Sequence, residues 1–354
     1  MKNVLIDFSH YADYNGFGEI ARNYSRILTG RNIADMHFIL ILPRKFRGCF
    51  GPQFDYIDRE DKRSQLKKLN LHIDLWHATD QQFHIRGGDK DTIQLLTIHD
   101  ANFLTEKKGV HKWRHIVQLK WRAWRSDYLT TISHYVLDDL SRHGFIMGKP
   151  IEVIYNGITD DMHLPQQRPA FVGSDDERFF FTIGQIREKK NFHTLVPMMK
   201  HFAHHKLYIC GDDHFAYAAQ LRQLIAGQGE GRVVLTGKVN DAEKRWLYAH
   251  SEAFLFPSRL EGFGIPVLEA MRYHCKVFSS RLSSLPEVCG SHASYWDDFS
   301  PEAMAQVVAD GLQSWDRCGK EAEQAAAYSR QFNYEVYTDQ YLTLYRRLLG
   351  LQNP

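Results

Sequence analysis

Short, uninterrupted apolar runs alternate along this chain with amphipathic stretches, and that alternation leaves few folds open. "NVLIDF" (3–8) is followed by "EIARNYSRIL" (19–28), which reads as an amphipathic helix. "MHFILIL" (36–42), "DLWHAT" (74–79), "IQLLTIHD" (93–100) and "IEVIYNG" (151–157) come next as candidate strands. Runs that are apolar throughout, rather than at every second residue, suit parallel strands buried on both faces. Strands alternating with helices build a doubly wound α/β sheet.

The alternation stops at "TDDMHLPQQRPAFVGSDDER" (159–178), a polar stretch with two prolines and no period, read here as an interdomain linker. It restarts with "FFFTIG" (179–184), "HKLYICG" (205–211), "RVVLTG" (232–237), "AFLFPS" (253–258) and "CKVFSS" (275–280). A length of 354 residues fits two domains better than one. Two Rossmann-like domains, 1–165 and 166–335, are therefore expected to face each other across a cleft. The stretch 336–354 follows the completed second domain and is expected to be a helix packed back on the first.

Bulk properties exclude several classes. A net charge of +2 gives no basis for nucleic-acid binding. The first apolar run is broken by Asp7, unlike a signal peptide. "FILIL" (38–42) is far too short to cross a membrane. The five cysteines are odd in number and widely spaced, with neither a metal nor a disulfide pattern. A reducing, cytoplasmic location is expected.

The richest stretch is "FPSRLEGFGIPVLEAM" (256–271). "AFLFPS" is a strand and "IPVLEAM" opens a helix, with Pro266 suited to a first turn whose N–H needs no helical partner. "EGFG" is then a strand-to-helix turn, and Glu269 is expected in the first turn of the helix. Ligands of open α/β sheets sit outside the carboxyl ends of the strands. There the backbone N–H groups of Phe263, Gly264 and Ile265 would attract phosphate, and glycine lets the backbone approach closely. With Glu261 and Glu269 as acceptors beside an anion site, a nucleotide sugar is a fitting ligand. Taken alone, the stretch is better read with Glu269 as a helix-dipole partner and Glu261 as an ordinary turn residue. "FTIGQIREKKNFHTLV" (181–196) reads as a second strand, glycine turn and helix. It brings Gly184, Arg187, Lys189 and Lys190 to the mouth of the same sheet, where a cation would neutralise a departing diphosphate.

Together these motifs resemble glycosyltransferase family 4, retaining enzymes of the GT-B fold, over nearly the whole length. "PSRLEGFGIPVLEAM" is similar to the family's signature of two glutamates separated by seven residues, and "GQIREKKN" to its glycine-to-lysine phosphate loop. "VLTGKVNDAEKRWLYAHSEAFLFPS" and "SSLPEVCGSHASYWDDFSPEAMA" resemble the segments on either side of the signature. "NGFGEIARN", "TIHD", "TISHYVLDDL" and "VIYNGI" resemble the family's first domain. Gln185 departs from the pattern, since many members carry arginine there, which shifts diphosphate contact toward Lys190, helped by Arg187 or Lys189.

The resemblance implies roles. Glu269 holds ribose hydroxyls; Glu261, with the backbone of Phe263 and Gly264, holds the donor sugar; Lys190 stabilises the leaving diphosphate. Backbone near Val239 meets the base, Gly18 lets a loop approach the diphosphate or acceptor, and His99 faces the sugar. Retaining members are thought to let the acceptor attack from the leaving-group face, a phosphate oxygen taking its proton. The implied activity is hexosyl transfer, mannose favoured, from a nucleotide sugar to a saccharide or lipid-linked acceptor in bacterial surface-glycan or lipopolysaccharide-type synthesis. GDP-mannose is favoured over UDP-hexoses as donor, with no cofactor. The alternatives are a UDP-hexose transferase, another GT-B enzyme such as a sugar-nucleotide epimerase, and a non-catalytic glycan-binding protein.

Three motifs are set aside. "GFGEIA" (16–21) lies too far beyond its strand for a dinucleotide fingerprint. Asp89-Lys90-Asp91 sits in a polar loop, and no metal site is expected. The histidines of "HFAHH" (201–205) read as surface residues. In "HKWRHIVQLKWRAWRSDYL" (111–129), Trp113, Val117, Trp121 and Trp124 share one helical side, and Arg114, Gln118, Arg122 and Arg125 another. Amphipathic helices usually pack, so the aromatic stripe is expected to face the core. The alternative is peripheral contact of the Arg114, Arg122 and Arg125 helix with an anionic membrane or a phosphate-bearing acceptor.

Overall fold

The computed structural model describes residues 1–13, 16–68, 71–82 and 89–352. The chain forms two units, Met1–Gly157 together with the chain from Asn333 on, and Ile158–Phe332. The first holds β1 (Lys2–Asp7), β2 (Met36–Leu42), β3 (Asp55–Asp58), β4 (Leu75–Ala78), β5 (Ile93–Ile98), β6 (Tyr128–Thr131) and β7 (Ile151–Val153). They form a parallel sheet in the order β3-β2-β1-β4-β5-β6-β7. Around it lie α1 (Gly16–Thr29), α2 (Lys62–Lys68), α3 (Phe103–Glu106), α4 (Gly109–Arg125) and α5 (His134–Arg142).

The second unit holds β8 (Phe179–Ile183), β9 (Lys206–Cys210), β10 (Val233–Gly237), β11 (Ala253–Phe256), β12 (Lys276–Ser280) and β13 (Ser294–Trp296). Their parallel order is β10-β9-β8-β11-β12-β13. Its helices are α6 (Leu195–Met198), α7 (Ala216–Gln228), α8 (Asp241–His250), α9 (Ile265–Arg272), α10 (Leu285–Cys289), α11 (Pro301–Gln313) and α12 (Lys320–Arg330). Strand order reverses between β1 and β4 in the first sheet and between β8 and β11 in the second, the switch points at which doubly wound sheets bind ligands.

The uninterrupted apolar runs are explained by burial on both faces. Val4 and Ile6 join one core with Phe38, Leu40 and Leu42, while Leu5, Ile39 and Ile41 join another across the sheet. The last helix, α13 (Tyr334–Leu349), belongs to the first unit. Its Tyr337, Tyr341 and Tyr345 recur every fourth residue, so they share one face and pack against Tyr24 in the first core. Tyr24 donates to Tyr345 at 2.8 Å, and His77 bridges Tyr345 at 2.6 Å and Thr97 at 2.8 Å. Burial drives the His77 pKa down to about 3, so it is a neutral core residue.

The division falls after Gly157 rather than after 165, and before Asn333 rather than after 335. The stretch 159–178 is not a free linker, because its backbone is tied to the second unit. The Gln167 N–H donates to the Ala242 carbonyl, Arg245 to the Pro165 carbonyl at 2.8 and 3.0 Å, and the Tyr208 hydroxyl to the Phe171 carbonyl at 3.3 Å.

Candidate functional site

In the second unit, the loops after β8 and β11 meet at the switch point. Lys190 donates to Glu261 Oε1 at 2.5 Å, and Ser258 Oγ donates to the same oxygen at 2.6 Å. Both charged side chains are largely buried, at 11% and 13% exposure. The Lys190 ammonium also lies 4.9 Å from the centre of the Phe256 ring. Gly184 leaves room for the lysine stem, since a Cβ there would lie 3.2 Å from Lys190 Cε. Two further bonds join the loops, with the Lys189 carbonyl accepting from Arg259 N–H at 2.8 Å and from Ser258 Oγ at 3.3 Å. Ser283 accepts the Glu261 N–H at 3.0 Å, and Ser284 donates to the Phe263 carbonyl at 2.8 Å. The loop carrying Glu261 is thus stapled down by serines. The helix expected after the glycine turn of 181–196 is broken up. Two 3-10 turns, Glu188–Lys190 and Phe192–Thr194, lead into the four-residue α6 instead. Asn191, in left-handed conformation at φ 59°, interrupts the helical path.

The other signature glutamate has its own lysine. Glu269 accepts from Lys244 at 2.7 Å and from the Tyr248 hydroxyl at 2.9 Å. Since α9 begins at Ile265, Glu269 lies in its second turn, not the first, and is not simply a dipole partner. Gly264 caps α9 at φ 117°, where a Cβ would meet Leu285 at 2.8 Å, so glycine is required twice over. Phe263 is buried, its ring edge-on to Phe332, and Ile265 is half-buried. Val239 is half-buried between the end of β10 and the Asn240 cap of α8, at the carboxyl edge of the sheet. Arg187 places its guanidinium 4.2 Å from the Phe215 ring centre. Lys244, Tyr248, Ser258 and Ser283 were not singled out in the sequence; Ser258 and Ser283 lie in loops beyond strand ends, and Lys244 and Tyr248 lie within α8.

A second constellation occupies the switch point of the first unit. His10, after β1, contacts Asp13 at 2.6 Å and Asp80, after β4, at 3.3 Å. Bonding to the buried Asp80, reinforced by Asp13, lifts the His10 pKa to about 9 despite partial desolvation. His99 is buried beside this cluster. Its Nε2 donates to the Thr79 carbonyl at 2.8 Å, its N–H is held by Gln81 at 2.9 Å, and the Phe17 ring stands edge-on to it. That bond fixes the tautomer carrying the proton on Nε2. Gly18 is buried in α1, and a Cβ there would clash with the Asp13 carbonyl. The close approach it permits is to its own loop, which Arg22 also binds through the Tyr11 and Asp13 carbonyls at 3.0 and 2.9 Å.

Three further readings change. The stripe expected in the core is exposed: Trp113 by 66%, Trp124 by 60% and Trp121 by 44%. Leu119 and Ala123, on a different side of α4, are the buried residues. Arg122 turns inward and donates to the Gln81 carbonyl, so it does not share a solvated basic face with Arg114. His205 is no surface residue; it stacks on Phe180 and contacts Glu252 at 3.0 Å, helping to pull the Glu252 pKa down to about 2. Asp89 and Asp91 each meet a histidine, His72, at 3.0 and 3.5 Å, and all three side chains are exposed.

Two parallel α/β units with switch points at corresponding strands define the GT-B fold of glycosyltransferases. The second unit carries the match to a specific family, the glycosyl transferases group 1, over residues 165–332. The chain is 27% identical over 251 residues to the O-antigen chain mannosyltransferase RfbU of Salmonella typhimurium, a stretch covering 70% of this chain and 65% of that one. It is 35% identical over 124 residues to O-antigen chain mannosyltransferase B of Escherichia coli, covering 34% of this chain and 32% of that one. The alignments thus span less than two thirds of either relative's length. Among solved structures, a sucrose-phosphate synthase from Thermosynechococcus elongatus aligns with a TM-score of 0.73 at 17% identity, over 99% of this chain and 100% of that one. Anabaena HepE in complex with UDP and glucose aligns with a TM-score of 0.73 at 15% identity, over 98% and 99%.

Proposed function

We propose that this chain is a retaining glycosyltransferase of the family 4 type. In this reading it moves a hexose, mannose in the first place, from a nucleotide sugar to a saccharide or lipid-linked acceptor of a bacterial surface glycan, on the cytoplasmic side. The observation that carries the reading is the buried Lys190–Glu261 pair at the switch point of the group 1 unit, with Glu269 on the adjoining helix. The mannosyltransferase names of the two O-antigen relatives support mannose as the sugar, and GDP-mannose is the donor we propose with it.

The chemistry follows from charge. The bond from the sugar C1 to the diphosphate oxygen breaks toward an oxocarbenium-like transition state, and the departing diphosphate gains negative charge. Lys190 opposes that charge, and its effect grows as the bond breaks. Glu261 gives Lys190 a partner until a diphosphate draws it away, and then has acceptor capacity for sugar hydroxyls. The acceptor oxygen bonds to C1 and its proton passes to the leaving phosphate oxygen, so no protein base is needed. Glu269, which accepts from Lys244 and Tyr248, takes hydrogen bonds from the ribose hydroxyls in this reading.

The test is transfer from GDP-mannose to a mannose-containing oligosaccharide, with and without EDTA. Product formed from GDP-mannose, insensitive to EDTA and faster than from UDP-glucose, is expected. Turnover with UDP-hexoses alone would replace the donor assignment. Conversion of donor to an isomer without any acceptor would replace transferase by epimerase.

A further inference from the structure

We propose that α4 is a membrane-surface helix that seats the protein on an anionic lipid bilayer through its tryptophan edge. Val110, Trp113, Val117, Trp121 and Trp124 are all exposed, by 81%, 66%, 42%, 44% and 60%. Their spacing of three and four residues puts them on one stripe of the helix. At 3.6 residues per turn, that stripe lies roughly 130° around the helix from the buried Leu119 and Ala123. Large apolar side chains scattered singly on a surface need no explanation, but a contiguous stripe of them does. Tryptophan in particular favours the boundary between lipid headgroups and acyl chains, where its ring is buried and its N–H stays hydrated.

Charge decides what covers the stripe. Lys112, Arg114, Lys120, Arg122 and Arg125 lie within α4, which contains no carboxylate, and Lys107 and Lys108 precede it. Arg122 is turned inward, but Arg114 and Lys120 are exposed on opposite flanks of the stripe. Arg125 lies over the Trp121 ring, 4.5 Å from its centre, so the guanidinium travels with the aromatic edge. A second copy of α4 laid against this face would bring like charges together with no acid to offset them. An anionic lipid surface offers the complementary charge and an apolar layer for the indoles. Among the described residues no helix is long and apolar enough to cross a membrane, so α4 lies along the surface rather than through it. This inference stands on exposure and charge alone and is independent of the transferase reading.

The experiment is co-sedimentation of the full chain with vesicles of phosphatidylcholine alone or of equal parts phosphatidylcholine and phosphatidylglycerol. Wild type should bind the anionic vesicles at least tenfold more tightly than the neutral ones, and less tightly as salt rises. The W113S/W121S/W124S variant should lose at least tenfold in partitioning. R114E/K120E should lose more than tenfold on anionic vesicles only, because each basic group near such a surface is worth about fivefold. Both variants change exposed side chains and should keep the wild-type unfolding midpoint. As a check that needs no mutation, brominated-acyl lipids should quench the tryptophan fluorescence of wild type. Equal partitioning by wild type and the tryptophan variant, or no quenching, would overturn the proposal. So would a wild-type dimer in vesicle-free sedimentation that the tryptophan variant abolishes, since a second copy would then be what covers the stripe.

Discussion

Glu261→Gln and Lys190→Met, separately and together, probe the pair on which the site reading depends. Glu261 holds the Lys190 ammonium at 2.5 Å, and each side chain is little exposed. Removing the carboxylate leaves an ammonium facing the Phe256 ring and the Gly184 backbone. Breaking a buried pair from one side costs about 3–5 kcal/mol, and the residual exposure lowers that to about 2–4 kcal/mol here. Lys190→Met should cost less, about 1–3 kcal/mol, because Ser258 still donates to the carboxylate. The double variant buries no unpaired charge. Its cost should fall short of the sum of the singles by about 1–3 kcal/mol, as coupled neighbours do. Urea unfolding of the full-length proteins, followed by circular dichroism and intrinsic fluorescence, measures all four corners. Additivity within about 0.5 kcal/mol would refute the pairing. The same cycle with saturating nucleotide adds a second reading. At a hundredfold excess over its Kd, a ligand stabilises the folded state by about 2.7 kcal/mol, and Lys190→Met should lose most of that gain.

Turnover and binding should separate the two signature glutamates. Glu261→Ala is expected chiefly to lower kcat and Glu269→Ala chiefly to raise KM for the donor, each by roughly ten- to a hundredfold, and steady-state kinetics giving the reverse pattern would exchange their roles. Lys244→Ala should reproduce part of the Glu269→Ala effect, since it removes the partner that orients that carboxylate; an unchanged KM would leave Lys244 with a structural role only. His10 should titrate by NMR near 9, and near its ordinary value in Asp80→Asn. Because the folded pKa is raised, its stabilising contribution is complete below about 6.5 and is lost as pH rises through about 9; a wild-type midpoint of unfolding that climbs across that window relative to Asp80→Asn would contradict the assignment.

The parts of the fold that depend on periodicity were readable before any coordinates. Residues 4–6 and 38–42 alternate between two cores, which is why they are apolar at every position. That the loops carrying Lys190 and Glu261 share one sheet edge followed from two strand-ending glycine turns; the ion pair between the two side chains did not. Readings that depended on tertiary contacts went astray. Polar composition marked 159–178 as a linker, but hydrogen bonds from its backbone to the second unit carry no signature in composition. Helical spacing identified the stripe of Trp113 and Trp121 but not which stripe faces the core, because Ile116, Leu119 and Ala123 form a competing one. A short-range left-handed residue, Asn191, ended a helix that the pattern extended. Lys244 was silent because its partner lies on another helix.

The central claim is that the Lys190–Glu261–Glu269 constellation holds the donor, and titration calorimetry tests it most directly. GDP-mannose titrated without divalent metal into wild type, Lys190→Ala and the distant control Lys320→Ala should bind wild type and control alike. Lys190→Ala should bind roughly ten- to a hundredfold more weakly, the loss expected for a charge-assisted contact. Equal affinity in all three proteins would contradict the account and move the donor away from this switch point.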